Sequence, residues 1–323
     1  MASEPVRLAL VGAGRMGQVH LDALQRAAGV ELVGAVEPFE AARERVAAGG
    51  VATFQDVSQL LADARDRLDG VLIAASSDQH SQLVGAFARA GVAMLCEKPV
   101  GVRAAEALDA GRAVQEAGVY FQVGYWRRLV PELRRLRQRI ASGELGQINQ
   151  IACYQWDHEL PTEAFRSRSG GIAVDLGVHE FDQTRWLLGQ EFGWLAACAA
   201  GADCAPRAAS DPDSATILAR LSGGTAATIS LGRSFPHQDS CWVEVWGSEG
   251  YERIPFMWDA AGDEVFRGSM VRQVESFARG LRGEPVDVAR AADAVAALTV
   301  AERAAAALAT GEPSAERAVP APR

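Results

Sequence analysis

The chain has 323 residues, 49% hydrophobic and 23% charged, with a formal net charge of −9. That length supports two domains with real cores, and the negative balance disfavours a nucleic-acid partner. No apolar run is long enough to span a bilayer, and no basic segment followed by an apolar stretch opens the chain as a signal peptide would. Five scattered cysteines (Cys96, Cys153, Cys198, Cys204, Cys241) lack C-x-x-C or metal-ligand spacing, as suits a reduced, cytoplasmic protein.

Residues 6–11, "VRLALV", predict a buried strand. "GAGRMG" follows, then the helical period of "QVHLDALQRA" and a second strand, "VELVGAVE". Strand, glycine turn, helix, strand is the context a dinucleotide-binding turn requires. Gly12 permits the turn, Gly14 lets the backbone approach a pyrophosphate, and Gly17 lets the helix pack on the strand. Arg15 and Met16 open the helix, whose free N–H groups face the phosphates. Glu37 ends the second strand, twenty residues after Gly17, where an acid accepts hydrogen bonds from the adenosine ribose. It would repel a 2′-phosphate, and the following residues offer no arginine until Arg43, further along the next helix. NAD is therefore expected over NADP.

The alternation continues through "VATF", "DVSQLLADA", "DGVLIAAS", "SQLVGAFARAG", "VAMLCE", "AAEALDAGRAVQEAG" and "VYFQVG". Repeated strand–helix units predict a parallel sheet, with ligands at the carboxyl ends of its strands. Two stretches fall at such ends: "SSDQH" (76–80), with Ser76 and His80, and "EKP" (97–99), with Glu97 and Lys98. His80 reads equally well as an ordinary helix-start histidine. Lys98, at a buried strand end, can serve as a cation or acid beside a nicotinamide, and Pro99 restricts its backbone.

From about residue 124 the pattern changes. The basic run "RRLVPELRRLRQR" (127–139) reads as the solvated face of one amphipathic helix. "QINQIACYQWDH", "FGWLAACAA", "SATILARLSG", "TAATISLGRSF", "SCWVEVWGS" and "YERIPF" alternate as half-buried strands do, and their short connections predict an antiparallel sheet. Helices over 131–141 and 172–188 can cover one face only. Trp242 and Trp246 share a face, which reads as an interface in a homo-oligomer, dimer or tetramer. Two helices follow, and "SAERAVPAPR" reads as a disordered tail. The expected organisation is an α/β Rossmann domain (1–123), an α+β domain with an open, mostly antiparallel sheet (124–315) and a tail (316–323).

In "SGGIAVDLGVHEFDQTRWLLG" (169–189), Asp175 and His179 stand four apart, on one face of a predicted helix. A metal half-site, a base with its carboxylate, and a plain helix-surface pair all fit this spacing. Metal needs a third ligand, and His80, His158 and His237 have no motif spacing to this helix, so no metal is expected. Asp182 is expected to pair with Arg185 as a structural residue.

Together, "GAGRMG", "CEKP" and the 169–189 stretch resemble the glucose–fructose oxidoreductase / inositol dehydrogenase family, and the likeness spans nearly the whole chain. It implies an NAD(P)-dependent dehydrogenase of a sugar or cyclic polyol; from charge and the lack of a long apolar run, no nucleic-acid or membrane partner is expected. By the same resemblance, Lys98 matches the catalytic lysine, and Asp175 and His179 match the acid and histidine of the substrate domain. Trp126 and Arg127 in "GYWRR" match residues that line the substrate pocket, and Asp157 falls near a polar substrate contact. Leu176 replaces a hydroxyl residue found in some inositol dehydrogenases, which leaves the substrate open. Two rivals stand: a same-fold enzyme that oxidises transiently to cleave glycosides, and a regulator that binds NAD and sugar without turnover.

Overall fold

The computed structural model describes residues 4–200 and 211–315. The chain forms two compact units: residues up to Leu129 with Phe266–Val295, and Val130–Val265 with the residues from Ala296 onward. The first unit thus includes a late segment that the expected contiguous division at residue 123 leaves out.

In the first unit, strands β1 (Val6–Val11), β2 (Val30–Val36), β3 (Thr53–Phe54), β4 (Gly70–Ile73), β5 (Ala93–Cys96) and β6 (Phe121–Val123) alternate with helices. These helices are α1 (Arg15–Arg26), α2 (Glu40–Ala48), α3 (Val57–Ala64), α4 (His80–Arg89) and α5 (Ala104–Ala117). The strands form one parallel sheet in the order β3-β2-β1-β4-β5-β6. Leu8, Leu10, Leu72, Ile73, Met94 and Leu95 are fully buried in it, which is why these strands read as continuous apolar runs rather than alternating ones. The order reverses between β1 and β4, so the ligand crevice of this topology lies at the carboxyl ends of β1, β4 and β5.

The second unit opens with α6 (Pro131–Ala141), β7 (Ile148–Trp156), α7 (Glu163–Ser169), α8 (Ile172–Asp175) and α9 (Gly177–Leu188). Strands β8 (Phe192–Ala200), β9 (Ser214–Leu221), β10 (Ala226–Gly232), β11 (Ser240–Gly247) and β12 (Tyr251–Met257) follow. Helices α10 (Asp259–Leu281) and α11 (Ala291–Thr310) contribute residues to both units, and β13 (Ser314–Ala315) closes the described chain. The seven-stranded sheet runs β12-β11-β7-β10-β9-β8-β13. Every neighbour is antiparallel except β10 on β7, which is parallel. The intervening helices and strands give the chain the length that a parallel crossover needs.

Ile151, Ile217, Ile229, Leu231, Val243 and Val245 share the covered face of this sheet and are fully buried. Helix α9 lies on β7 and β10, and α6 lies on α9. The opposite face carries Tyr154 stacked on Trp242, with ring centroids 4.3 Å apart. Leu218 and Tyr251 are 49% and 51% exposed there. The basic run 127–139, expected as one solvated helix face, divides: Arg127 and Arg128 are buried ahead of α6, while on α6 Arg135 pairs with Glu132, Arg139 with Glu144 and Glu252, and Arg137 lies over the Trp186 ring.

Two expectations are corrected. The single helix over 172–188 breaks at Leu176, where the amide of His179 bonds the Leu176 carbonyl, three residues back, at 3.1 Å. Asp175 and His179 therefore end one helical segment and open another. The expected tail "SAERAVPAPR" begins as strand, since Ser314 and Ala315 pair with Leu195 and Trp194; residues 316–323 lie outside the described residues.

The late segment joins the first unit for packing reasons. The Phe277 ring lies 5.7 Å from that of Tyr120, and a Cβ on Gly70 would stand only 3.0 Å from it. Arg290 donates to the Phe121 carbonyl at 2.8 Å and lies 4.3 Å over the Tyr120 ring. Among the described residues, no helix is long and apolar enough to cross a membrane.

Candidate active site

The glycine turn is built by steric exclusion. Gly12 has φ +95°, and a Cβ there would stand 2.7 Å from the Ala75 backbone. A Cβ on Gly17 would stand 2.2 Å from the Gly12 carbonyl oxygen. At Gly14 a Cβ would meet nothing within 4 Å, so the backbone faces open space that a pyrophosphate can approach. The first helical hydrogen bond runs from the Gln18 amide to the Gly14 carbonyl. The amides of Arg15, Met16 and Gly17 thus precede the helical ladder and point out of the helix end. These residues fit a dinucleotide.

Glu37 is buried at the end of β2, and its carboxylate braces the same turn. It accepts from the Ala13 amide at 2.8 Å and from the Phe39 amide at 3.0 Å. Each oxygen keeps a second lone pair, so ribose hydroxyls can still be received. Arg43, expected to lie away along the helix, reaches back to the carbonyls of Glu37 and Pro38 at 2.8 and 2.6 Å. A cation therefore stands beside the acid, which chain position alone did not reveal.

Lys98 is half-buried at the carboxyl end of β5, in a loop held from both sides by buried histidines. From α1, His20 Nε2 lies 2.8 Å from Glu97 Oε1; from α4, His80 Nδ1 lies 2.7 Å from the Pro99 carbonyl. The other His80 nitrogen lies 3.0 Å from the Ala75 carbonyl, beyond the end of β4. Burial holds the His80 pKa below its ordinary value, against the raising effect of these two carbonyls. Burial works to raise the Glu97 pKa, but the His20 hydrogen bond and the charges of His20, Lys98 and His80 together hold it down. Gln273 donates to the same Glu97 oxygen at 3.4 Å, and a Cβ on Gly124 would collide with it at 2.8 Å. Glu97 and His80, expected beside the cofactor, also brace the Lys98 loop through these buried contacts. Ser76 is exposed at the end of β4. Trp126 and Arg127 are buried in a 3-10 turn after β6, Trp126 edge-on to Phe266 at 5.1 Å.

In the second unit, Asp175 ends α8 and His179 lies buried in the first turn of α9. Asp175 Oδ2 is 3.4 Å from the guanidinium of Arg233, which also holds Asp211 at 2.8 Å. Asp211 in turn lies 3.6 Å from Arg166, and Arg166 pairs with Asp213. Asp157 follows β7, its carboxylate accepting from Gln155 at 3.1 Å. Asp182 is buried, while Arg185 takes Glu191 with two hydrogen bonds at 2.6 and 2.7 Å.

Sequence reasoning missed His20 and Arg233. Arg233 had a signal: it continues the apolar parity of Ala227, Ile229 and Leu231, a charge where the strand pattern calls for core. His20 offered none beyond its place on the apolar side of α1. Among the described residues, no group of three or more His, Cys, Asp or Glu side chains could hold a metal ion.

Residues 6–125 match the oxidoreductase family with NAD-binding Rossmann fold, and residues 133–252 match the GFO/IDH/MocA C-terminal domain. The rhizopine catabolism protein MocA of Rhizobium meliloti is 42% identical over 298 residues, covering 92% of this chain and 93% of that protein. An inositol 2-dehydrogenase of Rhizobium meliloti is 33% identical over 246 residues, covering 76% and 74%. The crystal structure of myo-inositol 2-dehydrogenase from Lactobacillus plantarum matches with a TM-score of 0.87 at 25% identity, covering 97% and 99%. With its glycine turn, its Lys98 loop and both halves of the chain matched in order, the chain belongs to the GFO/IDH/MocA family of NAD-dependent oxidoreductases acting on CH–OH groups.

Proposed function

We propose that the protein is a dehydrogenase that oxidises a secondary hydroxyl of a cyclic polyol or sugar, with NAD preferred over NADP. The observation that carries this reading is Lys98, held at the carboxyl end of β5 by two buried histidines. A loop with no chemical task needs no such bracing, and a regulator without turnover would be free to lose the lysine. The inositol dehydrogenases among its relatives favour a ring polyol over other alcohols.

The bound nicotinamide supplies the hydride acceptor. Histidine titrates near working pH, so the imidazole of His179 takes the hydroxyl proton as the C–H bond gives up its hydride, leaving a ketone. Asp175 supplies negative charge that favours the imidazolium. The Lys98 ammonium stabilises the alkoxide that develops on the substrate oxygen. Trp126, Arg127 and Asp157 take the remaining substrate hydroxyls.

A panel of inositols, other polyols and free aldoses, assayed for NADH formation, tests this. Net NADH from a free polyol supports the reading. Glycoside cleavage without net NADH would replace it with the transient-redox alternative.

We also propose that a second copy covers the aromatic sheet face, supported by Tyr154, Trp242, Leu218 and Tyr251 together on one side. Analytical ultracentrifugation of Leu218→Glu tests it, since a charge there should shift an oligomer toward monomer.

A further inference from the structure

Arg233 stands one residue beyond β10, on the parity that sends Ala227, Ile229 and Leu231 to the helix-covered face of the sheet. Its side chain is 1% exposed, rarely tolerated for a guanidinium unless carboxylates surround it. Two do: Asp211 at 2.8 Å and Asp175 at 3.4 Å. The chain of charges runs on through Arg166 to Asp213. Three carboxylates against two guanidiniums leave one negative charge in the cluster, with Asp175 at its end.

The Arg233 contact bears on where the Asp175 carboxylate points. Asp175 ends a helix of four residues, and the helical ladder is interrupted at Leu176, immediately after it. A short segment of this kind gives its last side chain little rigidity of its own. The backbone beneath Arg233 is, by contrast, well fixed: its amide bonds the Asp213 carbonyl at 2.8 Å, and the preceding Gly232 pairs with Trp156.

We propose that Arg233 is a positioning residue that fixes the Asp175 carboxylate for proton transfer, its two-pronged guanidinium tying that carboxylate to Asp211. This rests on the dehydrogenase reading above and adds a residue that reading does not use. Arginine suits the task because its planar fork holds two carboxylates at once, whereas the single ammonium of a lysine settles on one. The nearer carboxylate is Asp211 at 2.8 Å, so a lysine that settles there gives up the Arg233 contact to Asp175.

The test is a double-mutant cycle on the full chain, using the polyol that the wild type turns over. Arg233→Gln should lower kcat by about tenfold or more, the scale expected for a displaced catalytic group. NAD affinity by fluorescence titration should stay at the wild-type value. Arg233→Lys should fall between wild type and Arg233→Gln. In an Asp175→Asn background, neither Arg233 substitution should lower kcat further, because the group it acts through has already lost its charge. Additive losses in that background would overturn the proposal, as would wild-type kcat in Arg233→Lys or Arg233→Gln. If Arg233→Gln does not fold, the lysine variant and its Asp175→Asn pair decide alone. A wild type without polyol turnover would overturn the dehydrogenase reading itself, a result distinct from an active wild type indifferent to Arg233.

Discussion

The Nε2 atom of His20 lies 2.8 Å from Oε1 of Glu97, with both side chains closed off from solvent. This one contact joins the helix that follows the glycine turn to the residue that precedes Lys98. Cofactor cradle and candidate catalytic lysine are thereby held in one rigid frame.

Removing the histidine should be costly. In His20→Leu the buried Glu97 carboxylate loses its main partner, and breaking a buried pair by deleting one member costs about 3–5 kcal/mol. Urea unfolding should register that loss, and adding Glu97→Gln, which removes the stranded charge, should recover part of it. The pH dependence has a definite sign. The Glu97 pKa is lowered in the folded protein, so its stabilisation is present above the unfolded value of about 4.3 and is lost as pH falls through the folded value. The wild-type Tm should therefore drop more steeply below about pH 4 than that of Glu97→Gln.

His80 acts in a different window. Burial holds its pKa below the ordinary value, so the unfolded chain takes up a proton before the folded one does. Its stabilisation is complete above about pH 6.5 and declines as pH falls from there toward the folded value. Tm measured against pH should slope downward on the acid side of that point, and His80→Gln should flatten the slope. An unchanged slope would mean that burial does not lower the His80 pKa in the folded protein.

Much of this arrangement was legible beforehand, for identifiable reasons. The glycine turn could be read because Gly12 and Gly17 answer to local sterics, and each would clash with backbone if it carried a Cβ. The strands of both sheets could be read because burial on two faces gives apolar runs and burial on one gives alternation. The buried contacts of Glu97 and His80 were hidden, because their partners His20, Pro99 and Ala75 come from other elements. The break at Leu176 was hidden too, since the apolar period runs through it without interruption. Arg43 shows the limit of counting along the chain: a long side chain on the next helix folds back over two carbonyls at the strand end.

That placement of Arg43 sharpens the cofactor prediction. In the proposed cofactor mode Glu37 sets a negative charge against a 2′-phosphate, while its carboxylate also braces the Ala13 amide. Glu37→Ala would confuse the two effects. Glu37→Gln keeps an acceptor for Ala13 and removes the charge, leaving Arg43 as the local cation. The ratio of kcat/KM for NADP to that for NAD should rise in Glu37→Gln. It should fall back when Arg43→Ala is added. A wild type that prefers NADP would refute the proposed order of preference.

The final prediction concerns His179. If its imidazole takes the substrate proton, His179→Ala should lower kcat by about 100-fold or more, the usual scale for a lost general base. NAD affinity should be unaffected, because the glycine turn and Glu37 belong to the other unit. The wild-type oxidation rate should rise with pH through a group titrating near neutrality, since only the neutral imidazole accepts a proton. His179→Ala should lose that limb of the profile. Asp175→Asn should keep the limb but shift it toward lower pH, because removing a nearby negative charge makes the imidazolium easier to deprotonate. A metal-dependent enzyme would behave otherwise: a chelator would abolish turnover and added divalent ions would restore it. Chelator-insensitive turnover, together with an inactive His179→Ala that still binds NAD, is the outcome the base role requires. An active His179→Ala would return Asp175 and His179 to an ordinary structural pair.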